Sequence, residues 1–226
     1  MAIGDWSSDV CSSDLPEYRN RMYALLNLYK REYNKLEPVI CVDEKSKQFL
    51  EESRRPIAIK PGSPAKYDYE YKRKGTCNLF VAVEPKGGKR VIKITETRTK
   101  PDYAHFIKEL LENHYPEAIS VKLVTDNLNT HFATSFYETF SKEQAGKLLE
   151  RIDFYYTPKH ASWLNMAEIE INVMDRQCTG GRIANQKEIK TEVAAWVRKR
   201  NAEKKTIEWS FTRQDADKKL SRHYVT

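Results

Sequence analysis

Three acidic residues stand out by type and setting. Asp43 closes the apolar run Pro38-Val39-Ile40-Cys41-Val42, and Asp126 closes Val121-Lys122-Leu123-Val124-Thr125. Glu168 lies in a segment with helical apolar spacing (Trp163, Leu164, Ala167, Ile171, Met174), about one turn after Leu164. Mg²⁺ and Mn²⁺ prefer carboxylate and water oxygens, with few protein ligands and room left for substrate phosphates. Two such ions about 4 Å apart activate an attacking oxygen and stabilise the leaving one in phosphodiester displacement. Three carboxylates carry enough charge to hold two dications and still leave coordination positions open. That chemistry needs two strand-end aspartates on adjacent parallel strands, and a helix packed on the sheet to deliver the glutamate.

The elements that must do this are legible in outline. Residues 39–43 read as a short strand buried on both faces, with Glu44-Lys45-Ser46 leaving the sheet. Before it, 16–36 reads as a helix with Tyr18, Met22, Leu25, Leu26 and Tyr29 at helical spacing, stopped by Glu37-Pro38. Residues 51–75 are polar and loop-like, rich in bases and tyrosines. Runs 76–84 and 89–97 flank Pro85-Lys86-Gly87-Gly88, a hairpin signal. Then follow an amphipathic helix (101–114), a strand (118–125), helical pieces (132–140 and 143–149) and a strand (152–156). Thr157-Pro158 breaks that strand before the glutamate segment, Gly180-Gly181 breaks the next, and 186–202 forms a last helix. An antiparallel group followed by β–α–β units predicts an α/β fold: a mixed sheet with helices on both faces, in the ribonuclease-H-like layout.

Composition sets looser bounds. The 226 residues suffice for one domain with a real core plus short appendages. A formal net charge of +7 favours a polyanionic partner, though weakly on its own. Cys11, Cys41, Cys77 and Cys178 form no C-x-x-C pair and none sits near a histidine at zinc spacing, which fits a reducing cytoplasm. No apolar run approaches a membrane span, and no signal peptide is legible. Residues 1–15 are rich in Ser and Asp without periodicity and read as an unrelated or disordered lead-in, similar to a translated vector or adapter sequence.

The motifs carry a family resemblance. Asp126-Asn127 with His131, then the run from Thr157-Pro158-Lys159-His160 to Asn165-Met166-Ala167-Glu168, resembles the DDE transposases of the mariner-like superfamily, in their bacterial insertion-sequence branch. Cys41-Val42-Asp43-Glu44 is similar to that family's first acidic strand, and 207–220 to its C-terminal signature. The resemblance implies a catalytic, metal-binding triad of Asp43, Asp126 and Glu168 with two Mg²⁺ or Mn²⁺ ions. It implies DNA partners, cleavage at transposon ends, joining of the freed 3′-hydroxyl to target DNA, and a homodimer. The family carries N-terminal helix-turn-helix regions, for which 16–36 leaves no room, so the expectation is a catalytic domain lacking its end-recognition module. The expected division is 1–15 lead-in, 16–37 helical linker, 38–203 catalytic domain and 204–226 tail.

Blander readings stand beside these. Glu170 competes with Glu168 from another helix face. Glu44 and Asn127 are candidate supports for the metal ligands. His131 either orients Asp126, meets a phosphate, or lies on the surface. Trp163 packs in the core or against bases. Lys66, Lys72, Arg73, Lys74, Lys159 and His160 are backbone-phosphate candidates or solvated loop residues. The alternatives to a transposase are a nuclease that cuts without joining and a truncated, non-catalytic DNA-binding remnant.

Overall fold

The computed structural model describes residues 15–64 and 68–220. Lys66 and the expected lead-in, apart from Leu15, lie outside these. Five strands are described: β1 (Val39–Glu52), β2 (Tyr71–Glu84), β3 (Lys89–Thr95), β4 (Val121–Thr125) and β5 (Ile152–Tyr156). They form one sheet in the order β3-β2-β1-β4-β5. The β1–β2 and β2–β3 pairs are antiparallel, and β1–β4 and β4–β5 are parallel. Helices are α1 (Leu15–Lys30), α2 (Lys100–Glu109), α3 (Thr134–Thr139), α4 (Lys142–Leu149), α5 (Met166–Met174), α6 (Gln186–Ala202) and α7 (Arg213–Leu220).

Strand alternation assigns the two faces. Ile40, Val42, Phe80, Ala82 and Leu123 meet Phe106 and Ile107 of α2, Phe136 of α3 and Leu148 of α4 in one core. Their neighbours Cys41, Val83 and Val124 point the other way, to α1 and the start of α5. Leu79 and Val81 share that second face further along and meet Met174, Ile189 and Val193. The expected mixed sheet with helices on both faces is therefore what the chain forms, in the ribonuclease-H-like arrangement.

Four local expectations are corrected. β1 does not stop at Asp43: Glu44, Lys45 and Ser46 pair with Phe80, Leu79 and Asn78, and the strand runs to Glu52. Its polar continuation hides the strand because the side chains find distant partners; Lys45 pairs with Asp175, and Lys47 donates to the Thr179 and Gly181 carbonyls. The loop expected over 51–75 shrinks to 53–70 for the same reason. α1 ends at Lys30 rather than Leu36, since the apolar repeat lapses after Tyr29. Tyr33 and Leu36 are exposed, and the Leu36 carbonyl accepts from the Ile119 and Ser120 amides instead. Trp163 and Leu164 form a separate 3₁₀ turn (Ser162–Leu164), so Glu168 sits in the first turn of α5, not one turn inside it.

Candidate active site

The register of β1 on β4 sets the first two acids. Val39 pairs with Lys122, Ile40 with Leu123 and Cys41 with Val124, a constant offset of 83. The pairing ends at Cys41 and Val124; carried two residues further, the same offset matches Asp43 (43 + 83 = 126) with Asp126, which lies just past the end of β4. By alternation Asp43 shares the face of Cys41, the face on which α1 and the start of α5 pack. Beyond Cys41, β1 keeps only its β2 partner. The acids thus stand at the carboxyl ends of the parallel pairing, where open α/β sheets bind ligands.

Glu168 arrives from α5, and Asn165 fixes its arrival. The buried Asn165 side chain accepts from the Ala167 amide at 3.1 Å, capping the helix, and donates to the Val42 carbonyl at 2.8 Å. One side chain thereby ties the first turn of α5 to the strand residue preceding Asp43. Tyr29 donates its hydroxyl to the Leu164 carbonyl at 2.7 Å from the α1 side. At the first turn a carboxylate also meets the positive end of the helix dipole. Asn165 is a site residue that the sequence reading passed over, although an Asn directly before a helical run is a capping signal.

The electrostatics join the acids. Burial lifts the Asp43 carboxyl to about 7, against the pull of the Glu44 amide, and the charges of Asp126 and Glu168 push it further while that of His131 opposes them. The Glu44 amide donates to Asp43 at 2.8 Å. His131 is fully buried, with Nδ1 2.6 Å from Asp126 and Nε2 3.0 Å from Glu44. With a carboxylate at each nitrogen the ring donates from both. Burial works against its charge, yet the hydrogen bonds to Asp126 and Glu44 outweigh it and raise the imidazole to about 9. Burial likewise disfavours ionised Asp126, but the His131 bond and charge and the Leu128 amide hold its carboxyl below the usual range. Tyr103, fully buried, lays its ring 4.5 Å from the imidazole.

This donor set is made of hard oxygens around a half-buried, self-repelling carboxylate, which a dication would relieve. Among the described residues no three His, Cys, Asp or Glu side chains form a ready-made metal cage. The arrangement fits an ion that keeps several waters and takes only one or two carboxylates at a time, as Mg²⁺ does.

The remaining candidates divide. Asn127 donates to the Thr157 carbonyl at 2.5 Å and accepts from Arg21 at 2.6 Å, fastening the end of β4 to β5 and α1. Lys159 and His160 are exposed on the turn between β5 and α5, with His160 at φ 59°. Lys72, Arg73 and Lys74 are exposed but lie on β2 rather than in a loop, and Lys74 bridges Glu51 at 3.0 Å. Lys72 pairs with Glu51, eight residues along β1 from Asp43, roughly 26 Å at strand rise, so these bases are not brought to the acids. Glu170 is buried and held by two arginines: Arg90 and Arg200 each donate to both of its oxygens at 2.9–3.0 Å. Trp163 packs against the core beneath α1.

Comparison with known proteins agrees with this geometry. The sequence pattern of a family described as DDE superfamily endonuclease matches residues 38–190. Among solved structures, the Mos1 mariner paired end complex with Mn is 19% identical, with a TM-score of 0.59, covering 91% of this chain and 61% of that one. The Mos1 strand transfer complex is 18% identical, with a TM-score of 0.55, covering 88% and 58%. The chain thus spans about three fifths of those proteins and shares their fold. No curated protein matches at the sequence level. With a match running over 153 (38 to 190) of its 226 residues, the chain belongs to the DDE superfamily endonucleases.

Proposed function

We propose that the chain is the catalytic domain of a metal-dependent DNA transposase, with 38–203 as the catalytic unit and Asp43, Asp126 and Glu168 as its metal-binding triad. The observation that carries this reading is that Asp43 and Asp126 lie two residues beyond the last parallel β1–β4 pair, Cys41 with Val124, while Asn165 ties the first turn of α5, which bears Glu168, to the Val42 carbonyl beside Asp43. The reaction is cleavage at transposon ends followed by attack of the freed 3′-hydroxyl on target DNA, in a homodimer working in the cytoplasm. The Mos1 structures, described as a paired end complex with Mn and a strand transfer complex, support both steps and the choice of ion.

Each residue then has a task. Two Mg²⁺ or Mn²⁺ ions, when bound, supply positive charge at the scissile phosphate and lower the cost of forming the attacking oxyanion. Asp43, Asp126 and Glu168 hold that charge in place. His131 keeps Asp126 ionised and fixed in rotamer, and Glu44 anchors the other nitrogen of His131. Asn165 sets the distance of α5 from β1. Lys159 and His160, exposed on the β5–α5 turn that leads to Glu168, take a DNA phosphate, and Lys72, Arg73 and Lys74 carry the DNA further along the sheet.

The test is Mn²⁺-dependent nicking and joining of DNA by the wild type against Asp126→Asn. The expected result is nicking and joined product with the wild type and neither with the variant, at an unchanged circular dichroism spectrum. A variant as active as the wild type overturns the triad. Nicking without joining of pre-cleaved ends selects the second reading, a cutting-only nuclease, which the family's description as an endonuclease favours.

A further inference from the structure

The chain after α6 alternates between inward and outward side chains: Ile207, Trp209 and Phe211 are partly buried while Glu208 and Ser210 are exposed. This is the pattern of an extended strap laid on a surface. One end is pinned where the Ile207 amide donates to the Pro85 carbonyl at 2.9 Å, at the β2–β3 turn. The other end enters α7, whose Arg213 lies 4.1 Å over the Tyr23 ring and whose Ala216 is buried against α1. Between these anchors Trp209 stacks on Trp163, with centroids 6.2 Å apart and planes 19° apart, and packs on Tyr29 at 5.3 Å. Phe211 meets the edge of the same Trp163 ring at 5.3 Å.

Trp163 belongs to the 3₁₀ turn that leads directly into Asn165 and α5. Tyr29, the second partner of Trp209, donates its hydroxyl to the Leu164 carbonyl. The strap therefore holds the turn that leads into the glutamate-bearing helix through two rings, Trp163 in the turn itself and Tyr29 bonded to its Leu164 carbonyl. The opposite side of that turn is held by Asn165 on the Val42 carbonyl. Stacked and edge-on aromatic pairs have defined geometry as well as buried area, so they fix where the turn sits and not only that it is covered.

We propose that the 207–211 strap is a positioning element for Glu168, and that Trp209 is its principal positioning residue. The strap belongs functionally to the site although it lies outside the 38–190 span of the family match. The inference rests on the proposed role of Glu168 for its activity arm but not for its structural arm.

The test compares full-length wild type, Trp209→Ala and Trp209→Phe by native-state hydrogen exchange and by Mn²⁺-dependent nicking. The amides to follow are those of Leu164, Asn165 and Glu168, bonded to Ala161, Ser162 and Asn165 carbonyls. The expected result for the alanine variant is exchange roughly tenfold faster at these amides, with Ile40 to Val42 unchanged. Its kcat for nicking falls by a similar factor while KM for DNA stays within about twofold, and phenylalanine restores both. Unchanged protection of the 164–168 amides overturns the proposal, and so does equal acceleration throughout the sheet, which marks a general loss of stability. Should Trp209→Ala not fold, Trp209→Leu carries the same comparison. A wild type that exchanges as expected but never nicks overturns the reading of Glu168 and leaves the strap standing as a positioning element of that turn.

Discussion

The two glutamates of α5 should separate cleanly on substitution. Glu170 is 0% exposed, and its two oxygens accept four hydrogen bonds from Arg90 and Arg200, at 2.9–3.0 Å. Arg90 itself is 1% exposed. Glu170→Gln leaves two guanidinium groups against one neutral acceptor and an amide that donates towards them. Breaking a buried pair from one side costs about 3–5 kcal/mol, and for a domain of this size each kcal/mol moves the melting temperature by about 2–4 °C. A fall of about 6–20 °C follows. Glu168→Gln does the reverse: it removes a charge that repels Asp43 and leaves the capping bonds of Asn165 untouched. Its melting temperature should hold within about 3 °C of the wild type, while Mn²⁺-dependent nicking drops to background. Differential scanning fluorimetry and a plasmid nicking assay on the same preparations read both numbers. If Glu170→Gln abolishes nicking without lowering the melting temperature, or Glu168→Gln keeps nicking, the glutamate has been assigned to the wrong face of the helix.

Other expectations follow from the same contacts. Asp43→Asn should abolish nicking and raise the melting temperature slightly, because the carboxyl lifted to about 7 is destabilised when ionised; a lowered melting point contradicts that account. Asn165→Ala removes an N-cap and orphans the buried Val42 carbonyl, costing roughly 2–4 kcal/mol by urea denaturation; a loss below 1 kcal/mol would show that water or a neighbour replaces both bonds. Asp102 closes a capping box with Thr99 on α2. Burial opposes its ionisation, but bonds from Thr97 and Thr99 win and hold its carboxyl below 3.8. A depressed carboxyl stabilises fully above its unfolded value and loses that contribution as pH falls through the folded one. Asp102→Asn should therefore cost about 1 kcal/mol at pH 7, with the gap to the wild type closing below pH 3.8; a gap independent of pH would rule out the carboxylate as its source.

How much of this was legible depends on whether a residue's partners lie nearby in sequence. α6 was readable over its full length, Gln186–Ala202, because Ile189, Val193 and Trp196 repeat at helical spacing and all face one core. The β2–β3 hairpin was readable from its turn residues. β1 beyond Asp43 was not, because Lys45 and Lys47 are satisfied by residues 175–181, more than 125 positions away. Nor was the end of α1, beyond which the Leu36 carbonyl accepts from the distant Ile119 and Ser120 amides instead of from a helix.

The site shows the same division, and one error explains several gaps. Once β1 is taken to end at Asp43, Glu44 has no assigned face and no partner. Let the strand continue, and alternation sends Glu44 to the side of Val42, away from Asp43 and towards α2. Thr125 faces that side too, and the 3₁₀ turn Asn129–His131 follows directly, so the imidazole enters between Glu44 and Asp126. A histidine that sequence alone leaves open between surface, phosphate and support is then forced into a buried position with an anion at each nitrogen. The acids could be named from their places at the ends of apolar runs. Their charge states could not, because those depend on which face the next residue takes, and a strand's faces are fixed only by how far its pairing runs.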